Sequence, residues 1–115
     1  MRRGEIVTVN FDPSLGSEAA KTRPAIVVSN DAANATATRL GRGVITVVPV
    51  TSNIARIYPF QVLLPAHQTG LPQDSKAQAE QVRSVAVERI GKRVGQLPAV
   101  LVADLDQALR VHLSL

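Results

Sequence analysis

The chain has 115 residues, 45% hydrophobic and 19% charged, which is enough for one domain with a hydrophobic core and excludes a disordered chain. It has no cysteine, which excludes a disulfide framework and fits a cytoplasmic protein. It has no apolar run long enough to span a membrane, and we expect no signal peptide in its polar first residues. The net charge of +4 favours a polyanionic partner, whereas aromatic residues at 3% argue against a surface that stacks nucleic-acid bases. We therefore expect a single domain over residues 1–115 with no membrane contact.

The first two predicted strands, Ile6–Phe11 and Ala25–Ser29, are joined by a long polar segment that includes Gly16–Pro24. The second strand begins with a continuous apolar run, which is typical of a strand buried on both faces. This connection is too long for a plain hairpin. Because proline disfavours the helical region for the residue before it, Arg23 should be extended at the mouth of the second strand. An arginine there suits phosphate recognition. The alternative is a solvent-facing linker in which Arg23 pairs with Glu18.

A short alanine-rich helix and a third strand follow. The helix is predicted to run through Thr38, with Asn30 or Asp31 as its cap. The third strand is predicted over Val44–Val48. Since proline cannot donate to a ladder, we expect this strand to stop or bulge at Pro49, which would place residues 50–53 in a tight exit loop.

The second half of the chain predicts further short strands and a terminal helix. Phe60–Leu64 is the fourth strand, and Thr69–Ser75 is a loop. Lys76–Val87 is either one long strand or two short ones, and residues 92–94 form a turn with a short strand. From Pro98 the period changes to that of a helix, whose apolar face contains Leu101, Leu105, Leu109 and Leu113. The chain should therefore be mainly β, a strongly curled sheet or open barrel with the helix packed on it.

Polar side chains in two of these segments are candidates for chemistry. The exit loop presents the hydroxyls of Thr51 and Ser52, although such residues are most often only turn formers. Gln81 and Arg83 should share one face of their strand, which is most often a solvated face. The polar residues of this second segment are Lys76, Gln78, Glu80, Gln81 and Arg83. No metal site is expected, because His67 has no second ligand at a suitable spacing, and no phosphate-binding glycine loop is present.

The chain resembles the MazF/PemK family of bacterial toxin endoribonucleases over essentially its whole length. The motifs that carry the resemblance follow in the family's order: Arg3-Gly4-Glu5-Ile6, Asp12-Pro13, Gly16-Ser17-Glu18, Arg23-Pro24, Val48-Pro49-Val50-Thr51-Ser52 and Gln81-Val82-Arg83-Ser84. The resemblance implies a small SH3-like curled barrel of the CcdB/PemK type, with a short inserted helix and a C-terminal helix. It implies a homodimer that cleaves single-stranded RNA at selected sequences, without metal or other cofactor, and that is neutralised by a MazE-like antitoxin.

The resemblance also implies roles for individual residues. Arg23 and Thr51 match the catalytic arginine and threonine, and Glu18 matches a loop glutamate that is either the general base or a group that orients Arg23. One branch of the family has a histidine where this chain has Ser17, and has an arginine and an aspartate where it has Gln78 and Glu80. The residues implied to bind substrate are Ser17, Ser52, Asn53, Lys76, Gln78, Gln81 and Arg83.

Two other functions fit the same fold. A CcdB-like poison of DNA gyrase would not cleave RNA, but that group is marked by a tryptophan-containing C-terminal tail and this chain has no tryptophan. A generic interaction module would not need the ordered motifs. We further expect apolar residues off the leucine face of the last helix to be covered by a second copy. The basic groove between the copies, with Arg23, Lys76 and Arg83 from both, would hold RNA or a flexible acidic segment of the antitoxin.

Overall fold

The computed structural model describes residues 1–115 and is mainly β, as predicted. Its strands are β1 (Glu5–Asn10), β2 (Thr22–Val27), β3 (Val44–Thr51), β4 (Gln61–Leu64), β5 (Ser75–Gln78), β6 (Arg83–Ala86) and β7 (Ile90–Gln96). Its helices are α1 (Asp31–Leu40), α2 (Ala66–Thr69) and α3 (Ala99–Leu113). None of the helices combines the length and apolar character needed to cross a membrane.

The strands form one antiparallel sheet that curls around β3. The hydrogen-bonded order is β4-β5-β3-β2-β1-β7, and β6 also pairs with β3. One side of β3 pairs with β2, while the other side pairs first with β6 and then with β5. Because one long strand serves three partners, the sheet bends into an open, barrel-like shape, in agreement with the predicted curled barrel.

Both faces of the central strands are buried. Ile26 packs in a cluster with residues of α3, whereas its neighbours Ala25 and Val27 pack on the opposite face with Ala37 of α1. All three β2 residues are fully buried, which confirms the prediction of a strand covered on both faces. Burial of each larger aliphatic side chain contributes about 1.5–3 kcal/mol. The two clusters of buried side chains, one on each face of the sheet, therefore hold β2 and β3 in place.

The predicted break at Pro49 is wrong, because β3 continues to Thr51 and Pro49 lies opposite Ala25 of β2. On its other side, β3 pairs with β6 through Val44–Val47 and with β5 from Val50 onward. Pro49 therefore falls in the gap between two partners, where a residue without an N–H donor is tolerated. The predicted exit loop consequently starts after Thr51.

The segment predicted as Lys76–Val87 contains two short strands, β5 and β6, separated by a 3₁₀ turn over Ala79–Gln81. The turn breaks the strand alternation, so the predicted sharing of one strand face by Gln81 and Arg83 does not apply. α2 was not predicted, and β7 is longer than the short strand expected there.

The two predicted helices begin as the sequence indicates. The Asn30 side chain caps α1 by accepting a hydrogen bond from the backbone N–H of Ala33 at 2.8 Å, and α3 begins after Pro98. On the leucine face of α3, Leu101 and Leu105 are buried, but Leu113 is half exposed. The helix thus packs on the core from Leu101 to Leu109.

Candidate functional site

The pairing of β2 with β3 brings Arg23 towards Thr51. The last register pair at this end of the two strands is Ala25 opposite Pro49. Arg23 and Thr51 each lie two residues beyond that pair, on neighbouring strands, and both line one cleft. β1 holds the other side of Arg23, since Val9 is its register partner there. A guanidinium and a hydroxyl separated by 27 residues of chain are thereby placed at one sheet end.

Arg23 is held by one edge of its guanidinium. Its Nε donates to the carbonyl oxygen of Ala20 at 2.8 Å, and the side chain is half-buried. The two terminal nitrogens form no hydrogen bond or ion pair within the chain. Because the Nε bond fixes the plane of the group, the free end is a ready two-pronged donor for phosphate oxygens.

The hydroxyl of Thr51 lies at the end of β3. Its Oγ1 accepts a hydrogen bond from the backbone N–H of Asn53 at 3.3 Å, so its own proton remains available for donation. The Asn53 side chain accepts from the N–H of Ala55 and shapes the turn. Ser52 is exposed between them. The exit from β3 therefore presents one oriented hydroxyl and one free hydroxyl.

A cleft of about 250 Å³ contains both groups. Its walls come from the first residues of β2, the last residues of β3 and the loop before β5. Its lining residues include Arg23, Thr51, Ser52, Leu71, Gln73 and Ser75. Gln73 was not singled out from the sequence, where it is one polar residue in a loop and carries no distinguishing pattern.

A second cleft of about 290 Å³ is lined by three of the expected site residues, Glu18, Gln81 and Arg83, together with Glu80 and Val82. The structure does not contain the possible ion pair between Glu18 and Arg23. Glu18 Oε2 instead accepts from the backbone N–H of Leu15 at 3.3 Å. The guanidinium of Arg83 lies 5.8 Å from the ring centre of Phe11.

Gln81 fastens the loop that carries Glu18. Its Oε1 accepts from the N–H of Ala19 at 3.1 Å, and its Nε2 donates to the carbonyl oxygen of Ser17 at 2.8 Å. The Ser17 side chain itself is exposed. Both ends of the Gln81 amide are therefore engaged by the loop, and the side chain can bind substrate only by releasing it.

Lys76 is the register partner of Thr51 across β5 and β3. The residue is only 8% exposed, and its ammonium donates to the carbonyl oxygen of Arg56 at 2.6 Å. Gln78 is half-buried opposite Gln61 of β4. No group of three or more metal-ligating side chains comes together in the chain.

Comparisons with known proteins agree with this architecture. Residues 2–113 match the family described as PemK-like, MazF-like toxin of type II toxin-antitoxin system. The chain is 67% identical to Endoribonuclease MazF9 of Mycobacterium tuberculosis, over 100% of this chain and 98% of that protein. A crystal structure of MazF from Deinococcus radiodurans is similar, with a TM-score of 0.81 at 32% identity over 100% and 97% of the two chains. A MazE-MazF crystal structure from the same organism matches with a TM-score of 0.76 at 32% identity and the same coverage.

Proposed function

The chain belongs to the PemK-like, MazF-like family of toxins of type II toxin–antitoxin systems and is an endoribonuclease neutralised by a MazE-like antitoxin; we propose that its Arg23–Thr51 cleft cleaves single-stranded RNA without a metal ion. The 2′-hydroxyl attacks the adjacent 3′-phosphate and the 5′-oxygen leaves. The products are a 2′,3′-cyclic phosphate, or the 3′-phosphate formed when it opens, and a free 5′-hydroxyl. The match to endoribonucleases favours this activity over that of a gyrase poison.

The observation that carries the proposal is that the free end of the Arg23 guanidinium and the Thr51 hydroxyl line one cleft. Attack on phosphorus builds negative charge on the non-bridging oxygens, and fixed donors aimed at that charge lower the barrier. The guanidinium scarcely deprotonates, so Arg23 acts by stabilising charge rather than as the general acid. Thr51 donates to the same phosphate, with Ser52 beside it.

Glu18 is the group that we assign to the base role. It forms no ion pair with Arg23, so the alternative of orienting that arginine has no support from its contacts. Glu18 lies on the loop that Gln81 holds. It lines the second cleft and not the cleft of Arg23 and Thr51. Movement of this loop on substrate binding would bring its carboxylate to the 2′-hydroxyl. Lys76 and Gln81 contribute to substrate binding by holding loops in place. The proposed substrate-binding set is completed by Ser17, Asn53, Lys76, Gln78, Gln81 and Arg83.

The proposed assembly is a homodimer of this single toxin domain in the cytoplasm. Val100, Val111 and Leu115 of the C-terminal region are 62%, 47% and 84% exposed, which leaves apolar surface for a second copy to cover. Of the three basic residues expected in the groove, Arg23 and Arg83 from both copies would then flank it, whereas Lys76 is buried with its ammonium on the carbonyl oxygen of Arg56. A monomer at micromolar concentration in sedimentation would contradict this assembly.

The test of the activity is incubation of the purified protein with a mixed single-stranded RNA, and separately with DNA, in excess chelator. We expect cleavage of RNA alone, with 5′-hydroxyl ends. A 2′-deoxynucleotide at the cut position should block cleavage at that site while binding persists, because the nucleophile is missing. Ends bearing 5′-phosphate, or a requirement for added magnesium, would contradict the mechanism, since both indicate attack by water.

A further inference from the structure

The loop between β3 and β4 carries a pair of stacked aromatic rings, of which Tyr58 is exposed and Phe60 is half-buried. The rings of Tyr58 and Phe60 are nearly parallel, with an interplanar angle of 2° and centres 5.3 Å apart. The Arg56 guanidinium lies 5.6 Å from the centre of the Tyr58 ring and donates to its hydroxyl at 3.2 Å. Tyr58 is 41% exposed. The chain has only three aromatic residues, and the third, Phe11, is fully buried, so all of its accessible aromatic surface is in this loop.

Buried polar groups hold the loop in this shape. The N–H of Tyr58 donates to Gln61 Oε1 at 3.1 Å, and Gln61 Nε2 donates to Glu80 at 2.6 Å. The buried ammonium of Lys76 donates to the carbonyl of Arg56 and lies 5.9 Å from the Tyr58 ring centre. These bonds fix the exposed Tyr58 ring in advance of any ligand, which lowers the ordering cost of binding.

The loop adjoins the proposed cleavage site. It begins at the residue after Thr51, and the lysine that supports Tyr58 is the register partner of Thr51. Lys76 therefore links the Tyr58 ring to the end of β3 that carries Thr51. A nucleotide next to the cleaved bond can reach this ring.

We propose that Tyr58 forms a nucleobase-binding subsite, in which one base of the bound RNA stacks on the tyrosine ring while Arg56 contacts the flanking phosphate or the edge of the base. This inference rests on the proposed RNA-cleaving function. Every base offers a π-face, so the subsite contributes affinity and positions the strand rather than selecting one base by hydrogen bonds. Phe60, which contacts His112 of α3 at 6.4 Å between ring centres, is the support behind the tyrosine.

Intrinsic fluorescence provides a direct test, because the chain contains one tyrosine and no tryptophan. All tyrosine emission comes from Tyr58. The probe is an oligoribonucleotide that the protein cleaves in the assay above, made with a 2′-deoxynucleotide at the cut position so that it binds uncut. We expect saturating probe to quench the emission, since a stacked base contacts the ring. Unchanged emission at saturation would overturn the inference.

Variants separate stacking from other effects. Tyr58→Phe keeps the ring and should bind the probe within about twofold of wild type, whereas Tyr58→Leu should lose about 5- to 150-fold in affinity at fixed salt. Leu63→Ala is the matched control: Leu63 also lies beside Lys76, is 44% exposed, and has no aromatic face. It should bind normally. An equal loss in Leu63→Ala and Tyr58→Leu would overturn the inference.

Abasic nucleotides identify the stacked base. The loss caused by Tyr58→Leu should disappear when the probe is abasic at one position near the cut, and should persist when it is abasic elsewhere. A loss that is the same at every abasic position would overturn base stacking while leaving RNA cleavage intact. If the wild-type protein neither bound nor cut RNA, the proposed function itself would fail and the subsite with it.

Discussion

Replacement of Gln81 by methionine should release the loop that carries Glu18. Methionine keeps the length of the side chain but removes both of its hydrogen bonds, to the N–H of Ala19 and to the carbonyl oxygen of Ser17. Each such bond contributes about 0.5–1.5 kcal/mol, so the pair stabilises the closed loop by about 1–3 kcal/mol. The population of the open loop should therefore rise about 5- to 150-fold.

Amide hydrogen exchange at Ala19 measures this opening. The Ala19 N–H donates its hydrogen bond to Gln81 Oε1, and Ala19 is only 6% exposed. Exchange of this amide hydrogen therefore requires the loop to open. We expect exchange of this amide to accelerate by the same factor in Gln81→Met. The amide of Ile26, in the buried strand β2, should change little. Gln81→Glu keeps an acceptor for Ala19 but loses the donor to Ser17, and it should give an intermediate rate.

The outcomes distinguish a loop fastener from a general stabiliser. Unchanged exchange at Ala19 would refute the assigned hydrogen bonds. Equal acceleration at Ala19 and Ile26 would show that Gln81 stabilises the whole fold instead. In the wild-type protein, uncut RNA should also accelerate exchange at Ala19 if Gln81 leaves the loop to contact substrate.

The remaining predictions concern catalysis, packing and inhibition. Arg23→Ala should lower the cleavage rate about 10²–10³-fold in a single-turnover assay, and its circular dichroism spectrum should be unchanged. Arg23→Lys should restore little activity, because an ammonium cannot make the two-pronged contact of a planar guanidinium. Near-normal turnover in Arg23→Ala would show that Arg23 is not part of the site. Thr51→Ala should cost less, with Ser52 as the neighbouring donor. Gly95→Ala should lower the urea midpoint by the equivalent of about 1–3 kcal/mol, because its Cβ would collide with the backbone oxygen of Thr69. Gly91→Ala should cost less, because its Cβ would collide with the rotatable side-chain oxygen of Thr8 rather than with backbone. Binding of a cognate acidic antitoxin segment should weaken as the salt concentration is raised, and the segment should compete with RNA in a displacement assay. Simultaneous binding of the segment and RNA, without loss of affinity for either, would contradict a shared groove.

Local patterns in the sequence were sufficient for much of the fold. The apolar run at Ala25–Val27 indicated a strand buried on both faces, and Pro98 with the following leucine period indicated the start of α3. These features depend on a residue and its near neighbours in the chain. The order of the motifs, which includes Arg23 and Thr51, was enough to suggest the family.

The structure decided what depends on pairing between distant segments. Pro49 looked like a strand end, but the gap between two partner strands lets β3 continue through it. Gln81 looked like a strand residue, but a 3₁₀ turn directs its amide to the loop at Ser17 and Ala19. In both cases the deciding contacts lie with other elements, and the sequence near the residue does not contain them.

The candidate site divides in the same way. Residue types suited to phosphate could be found in the sequence, but the meeting of Arg23 and Thr51 in one cleft follows from the pairing of β2 with β3. The low aromatic content argued against base stacking, yet the fold gathers Tyr58 and Phe60 in one exposed loop beside Lys76. Sequence determines which groups are available and which local structures they favour. Only strand register and loop packing determine which of those groups meet, because these are set by contacts between residues far apart in the chain.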